Sequence, residues 1–174
     1  MELTPVMERY VLHWGEMGAR WGVNRSVSQI HALLYLSPEA LTAEEIADTL
    51  SIARSNVSTS LKELQSWGLV QVVHVMGDRR DRFEAHKDVW EMVTRIAEER
   101  KRREIDPTLT VLRQCVLDAD TDKSTNAEVK QRIQDMLAFL ELTANWYAEL
   151  KQLPRPMLVR LMKLGAKVTS ILTG

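Results

Sequence analysis

The chain of 174 residues holds a single cysteine, Cys115, so it cannot close a disulfide upon itself. A fold stapled by disulfides is thereby excluded. Its histidines, His13, His31, His74 and His86, have no i, i+4 spacing and no cysteine partner, which leaves no metal-ligand pattern. No apolar stretch approaches the roughly 20 residues that cross a bilayer, and no leader-like segment opens the chain. The expected location is a reducing cytoplasm. There is no Gly-x-Ser-x-Gly element, no phosphate-cradling glycine loop and no dinucleotide fingerprint, and no pair of carboxylates stands out for catalysis. An enzyme is not expected, nor a cofactor. Charge of one sign is also lacking: 23 Lys and Arg against 24 Asp and Glu give a net charge of −1. A protein that coats polyanions indiscriminately would be strongly basic.

What is present is concentrated between residues 41 and 87, LTAEEIADTLSIARSNVSTSLKELQSWGLVQVVHVMGDRRDRFEAHK. Thr42 and Glu45 have the spacing of a capping box, in which each side chain satisfies the other residue's backbone donor. Ile46, Ala47 and Leu50 follow on one face of a short helix, which ends near Ser51. A second helix is expected from about Arg54 to Trp67, with Val57, Leu61 and Leu64 turned inward and Gly68 as its stop. Ser55, Thr59 and Lys62 then point away from the core, with Asn56 and Ser58 on the shoulders. Short hydroxyls, an amide, a lysine and the leading Arg54 are an unusual solvent face, since plain solubility favours Glu and Lys. Such a face suits a major groove, where small polar side chains reach base edges.

Leu69 to Val75 is valine-rich and strand-like, Met76-Gly77-Asp78 turns the chain, and Arg82 to His86 returns. The tip carries Asp78, Arg79, Arg80 and Arg82, and arginines so placed fit a phosphate backbone or a narrow minor groove. With Asp78-x-Arg80, Leu41 to Val70 resembles the winged helix-turn-helix of MarR-type transcriptional regulators. The stretch GDRRDRFEAHKDVWEMVTRIAEERKRREIDP resembles the GbsR-like branch of that group. The likeness is detailed over about residues 20 to 107. It implies a homodimer, a recognition helix over Arg54 to Ser66 in the major groove, and Arg80 in the minor groove, braced by Asp78. Two departures are visible: Ala53 replaces the usual Ser or Thr cap, and Asp81 replaces the glycine common after D-x-R.

The flanks read as helices. Thr4-Pro5 starts one, with Met7, Tyr10, Trp14, Met17 and Trp21 on one stripe and Gly15, Gly18 and Gly22 on a neighbouring stripe that admits a close helix. Asn24 to Ser37 forms another, with Val27, Ile30 and Leu34 inward. Asp88 caps a helix whose stripe is Val89, Val93 and Ile96, ending in EERKRRE, a solvated run with compensating glutamates. Asp106-Pro107 opens a new helix, Asp118 to Ser124 forms a loop, and Thr125 with Glu128 suggests a second capping box. Val129, Ile133, Met136, Leu140, Thr143, Tyr147 and Leu150 then recur at near-heptad spacing, broadened by Leu137, Leu142 and Trp146. The last helix carries Met157, Leu161, Leu164, Val168 and Ile171.

These elements predict a mainly α fold with a small β-hairpin wing, a winged helix-turn-helix flanked by N- and C-terminal dimerisation helices. The expected division is an N-terminal dimerisation helix (1–23), the DNA-binding domain with its following linker helix (24–105) and a C-terminal helical dimerisation region (106–174). Apolar terminal helices would be a liability in a monomer, and two recognition helices reading a pseudo-palindromic operator need a pair of chains. The partners implied are double-stranded DNA and a second copy, in a transcriptional regulator acting as a repressor. The alternative is a winged helix used only for protein–protein contact. Cys115, among Val111, Leu112 and Val116, reads as buried and inert. Tyr10, Trp14, Trp21, Trp90, Trp146 and Tyr147 are candidates for an effector pocket. The GbsR-like resemblance implies a choline- or betaine-like ligand, which aromatic rings hold by cation–π attraction.

Overall fold

The computed structural model describes the backbone of residues 1–172 and the side chains of residues 1–164. The expected positions Val168 and Ile171 lie outside the described side chains. The chain divides into two compact units, Met1–Glu99 and Arg100–Gly174. The first unit includes the N-terminal helix, and the division falls a few residues before Asp106.

In the first unit, helix α1 (Pro5–Arg20) starts with Thr4 as cap and proline in its first turn, where a missing N–H costs nothing. Helix α2 (Arg25–Leu36) is capped by Asn24, whose Oδ1 accepts from Ser26 N at 2.8 Å. A two-residue strand β1 (Leu41–Thr42) leads into α3 (Ala43–Leu50) and α4 (Arg54–Ser66). Strands β2 (Val70–Val73) and β3 (Arg82–Ala85) and helix α5 (Val89–Arg100) follow. The sheet is antiparallel in the order β1-β3-β2, with Leu41 opposite Phe83 and Val72 opposite Phe83 on its other side. The short β1 escapes sequence reading because two residues carry no alternation.

The core lies around α2, where Ile30, Leu33 and Leu34 are fully buried together with Ile46 of α3 and Val57, Leu61 and Leu64 of α4. Three inward residues of α4 thus match their 3.6-residue period. On α1 the deeply buried residues are Val11, Gly15 and Gly18, not the aromatic stripe, and Trp21 is exposed. Gly18 has to be glycine because α2 crosses there: a Cβ would meet Ser28 Oγ at 1.9 Å. On α5, Met92 is buried and Ile96 packs on the core, while Val89 and Val93 are exposed. Both pairs are spaced i, i+4, so periodicity alone does not choose between them.

The helix ends are built alike. Leu69 N donates to Leu64 O at 3.0 Å and Gly68 N to Gln65 O at 2.9 Å, a Schellman motif with Gly68 at φ +66. Helix α3 ends in the same pattern, Ile52 N to Ala47 O and Ser51 N to Asp48 O. There the left-handed position is filled by Ser51, φ 53, which lacks glycine's freedom. The capping box is present as expected, with Thr42 N donating to Glu45 Oε2 at 2.6 Å and Glu45 N to Thr42 Oγ1 at 3.2 Å.

In the second unit a π-helical turn (Lys101–Ile105) opens into α6 (Asp106–Thr121), followed by α7 (Ala127–Gln152) and α8 (Arg155–Leu172). Helix α6 runs through Thr121, so the loop begins later than Asp118. Asn126, not Thr125, caps α7, accepting from Val129 N at 2.9 Å, while Thr125 Oγ1 donates to Asp122. Helices α6 and α7 are antiparallel: Arg113 pairs with Glu141 at 2.8 Å and Lys130 Nζ donates to the carbonyl of Ala119 near the end of α6. Within the basic run Arg100 pairs with Glu104, while Lys101 pairs with Asp106 just beyond it. Cys115 is half-buried.

Candidate nucleic-acid interface

Helix α4 turns Arg54, Ser55, Thr59 and Lys62 to solvent, with Ser58 half-buried beside them. This outward face is the complement of the Val57–Leu61–Leu64 stripe, so the same period that fills the core exposes the polar set. Ala53 precedes the helix in extended conformation without any side-chain cap. Two residues turn out to be spoken for. Asn56 Nδ2 donates to Ser26 Oγ of α2 at 2.8 Å, and its Oδ1 accepts from Ser60 Oγ at 3.3 Å. Asn56 therefore ties α4 to α2, a role invisible in sequence because Ser26 is thirty residues away. Arg54 Nε donates to Glu44 Oε1 at 2.9 Å, bridging the two helices of the motif.

The wing is organised by Asp78. Its Oδ1 accepts from Arg80 Nε at 2.9 Å and from Arg80 N at 3.1 Å, and its Oδ2 from Arg80 Nη2 at 2.8 Å. This is the two-pronged carboxylate–guanidinium geometry, which fixes direction as well as charge. The arginine contacts hold the Asp78 carboxyl well below the usual carboxylate range, so the pair stays ionised throughout the neutral range. More than half of the Arg80 side chain remains exposed, at 58%, and Arg79 is exposed beside it.

Arg82 differs from its neighbours. It donates to Asp78 Oδ2 through Nε and Nη2 at 3.2 and 3.1 Å, and to Ala40 O through Nη1 at 3.0 Å, and lies 3.5 Å from Glu45 Oε2. Only 20% of its side chain is exposed. Of the three arginines expected on the tip, Arg79 and Arg80 face outward, while Arg82 locks the wing to the start of α3. Sequence reading groups the three because two of Arg82's partners, the Ala40 carbonyl and the capping Glu45, lie about forty residues earlier.

Between α4 and the wing runs a groove of about 320 Å³ whose charged lining is Arg54, Lys62 and Arg80 against Glu44 and Asp81. A further lysine supports the unit from behind: Lys87 Nζ donates to the carbonyls of Leu34, Tyr35 and Ser37 at 2.6, 3.0 and 2.6 Å. It thus closes the C-terminal end of α2, where cations are favoured, and burial pushes its ammonium below the usual lysine range. The helical end of α2 gave no hint of it, since lysines are usually surface charges.

The six aromatic candidates divide between the two units. Tyr10 and Trp14 stack on each other, with centroids 5.7 Å apart and planes within 10°. Trp21 is exposed and Trp90 half-buried in the same unit, whereas Trp146 and Tyr147 belong to the second unit. Among the described residues no group of His, Cys, Asp and Glu could hold a metal ion, and no helix is long and apolar enough to cross a membrane.

A helix, a tight turn, a second helix and a β-wing packed against it define a winged helix-turn-helix protein. Residues 21–81 match the MarR family model. Over 136 residues, 76% of this chain and 75% of the relative, the sequence is 24% identical to the HTH-type transcriptional repressor GbsR of Bacillus subtilis (strain 168). The crystal structure of a transcriptional regulator superposes with a TM-score of 0.66, covering 91% of this chain and 99% of that chain at 20% identity. The shared architecture therefore extends well beyond the residues matched by the family model.

Proposed function

We propose that the chain is a homodimeric, sequence-specific DNA-binding transcriptional regulator that acts as a repressor. The observation that carries this reading is one surface of the first unit, where the exposed Arg54–Ser55–Thr59–Lys62 face of α4 stands beside Arg80, oriented by Asp78. Helix α4 enters the major groove and Arg80 the adjacent minor groove. Asn56 and Arg82 act behind that surface, holding α4 and the wing in place. With a net charge of −1, binding depends on this focused patch, so nonspecific affinity is modest. Similarity to a repressor supports the sign of regulation.

The second copy is held through the second unit. Helix α7 leaves Met136, Phe139, Leu142 and Trp146 exposed along one flank, a continuous apolar stripe that a second chain would cover. A winged helix serving protein contact alone would instead carry aromatic or aliphatic anchors on α4, where hydroxyls stand. The effector belongs to the same proposal. A quaternary ammonium compound such as choline or betaine would meet the outer faces of the Tyr10–Trp14 stack, because the two rings cover each other's inner faces. Titrating choline against tryptophan fluorescence tests it, and an unchanged spectrum with unchanged DNA affinity rejects it.

The DNA reading is tested by Arg80→Ala on a duplex that the wild type has selected from a random pool. Binding should weaken and the slope of log affinity against log salt should flatten by about 1, the loss of one phosphate-neutralising charge. Full affinity with an unchanged slope would remove the wing from the interface. Failure of the wild type to select any duplex would favour the protein-contact alternative.

A further inference from the structure

We infer that Glu44 is a positioning residue that makes Arg54 a reader of bases and keeps it off the phosphate backbone. The inference rests on the DNA-binding reading above and deepens it. Glu44 stands in the first turn of α3 and Arg54 opens α4, so the turn between the helices brings them together at 2.9 Å. The contact engages Nε. Among the described residues neither Nη group of Arg54 has a partner, and about half of its side chain is exposed, at 49%.

An element in the major groove and another in the neighbouring minor groove lie on either side of one phosphodiester strand. That strand must cross the groove between α4 and the wing, where Glu44 and Arg54 are both part of the lining. Left free, Arg54 would swing to the nearest phosphate, a contact available on every sequence. Glu44 changes that choice. Its carboxylate repels the phosphates and holds Arg54 by Nε, so the two Nη groups point outward as a fork. Such a fork matches the O6 and N7 acceptors of guanine. The negative charge weakens backbone binding on all sequences alike, and what it secures is discrimination through Arg54.

The test compares full-length wild type, Glu44→Gln, Glu44→Asp and Arg54→Ala on two duplexes over a salt series. One duplex is selected by the wild type from a random pool and the other is random. Circular dichroism verifies that each variant is folded. Glu44→Gln keeps the size and removes the charge. Its affinity for the random duplex should rise, and its preference for the selected duplex should fall roughly tenfold, the value of one good base contact. Its salt slope should steepen by about 1 as Arg54 takes up a phosphate. Glu44→Asp should recover most of the preference, and Arg54→Ala should lose it without steepening the slope. If the wild type prefers the selected duplex while Glu44→Gln keeps both preference and slope, the inference fails and the DNA-binding reading stands. Undiminished preference in Arg54→Ala overturns it independently. If the wild type selects nothing, both fall together.

Discussion

Helices α2 and α7 show how differently the two units of this chain are stabilised. Helix α2 has 12 residues and buries seven of them, including Ile30, Leu33 and Leu34 at the centre of the first unit. Helix α7 is 26 residues long and buries none. Its half-buried apolar positions, Ile133, Leu137, Leu140, Ala144, Tyr147 and Leu150, lie on one side, and Met136, Phe139, Leu142 and Trp146 are left open. The core cluster lies entirely within the first unit. The first unit therefore holds a core sufficient for a small domain, while the second exposes apolar side chains along α7, the surface that the proposed dimer would cover. That division suits the proposed dimeric DNA-binding protein, in which two reading elements need a surface that pairs them.

The largest effect that separates the two regions comes from truncating one large apolar residue in each. Leu33→Ala removes a fully buried side chain from α2 and should cost about 2–5 kcal/mol in denaturant unfolding. Phe139→Ala on α7, 63% exposed in the single chain, should leave the unfolding of the first unit unchanged and instead weaken self-association in sedimentation. Equal stability losses at both positions would erase the distinction.

A smaller effect is a pH dependence confined to the first unit. His31 in α2 is 3% exposed, and its Nε2 has no hydrogen-bond partner. Burial, with the Lys87 charge adding to it, lowers its pKa from 6.5 to about 4. The unfolded chain thus binds a proton that the folded chain refuses between those values. Stability is full above pH 6.5 and falls as pH drops from 6.5 toward 4, by on the order of 3 kcal/mol. Thermal melts of His31→Leu should show that slope flattened, and an unaltered slope would assign it to other groups. The smallest effect concerns Ser51, held at φ 53. Ser51→Gly relieves the left-handed position and should raise stability by about 0.5–1 kcal/mol, read as a shift in denaturation midpoint. A lower midpoint would show that the Ser51 side chain contributes more than its backbone strain costs.

How much of this was legible in the sequence varies with the range of the interaction that decides it. The capping box of Thr42 and Glu45, the inward stripe of α4 and the Gly68 stop depend on neighbours within a few residues, and they stand where the spacing puts them. Of the expected α5 stripe only Ile96 packs on the core, because Val89–Val93 and Met92–Ile96 are equally good helical pairs. Only the neighbouring elements choose between them. Thr125 and Asn126 competed as caps for one helix, and Asp122 settled it by engaging the threonine. In the candidate site, the outward residues Ser55, Thr59, Lys62 and Arg80 follow from period and turn. The inward roles of Asn56 and Arg82 depend on Ser26, Ala40 and Glu45, which no local pattern connects to them.

The central claim is that the first unit reads DNA and does so only as a pair. Its most direct test is the molar mass, by sedimentation velocity, of the complex between the full chain and a duplex the chain has selected. The prediction is two chains per duplex, on half-sites spaced by about one helical turn, roughly 34 Å. One chain per duplex, or a selected site without two-fold symmetry, would contradict the account.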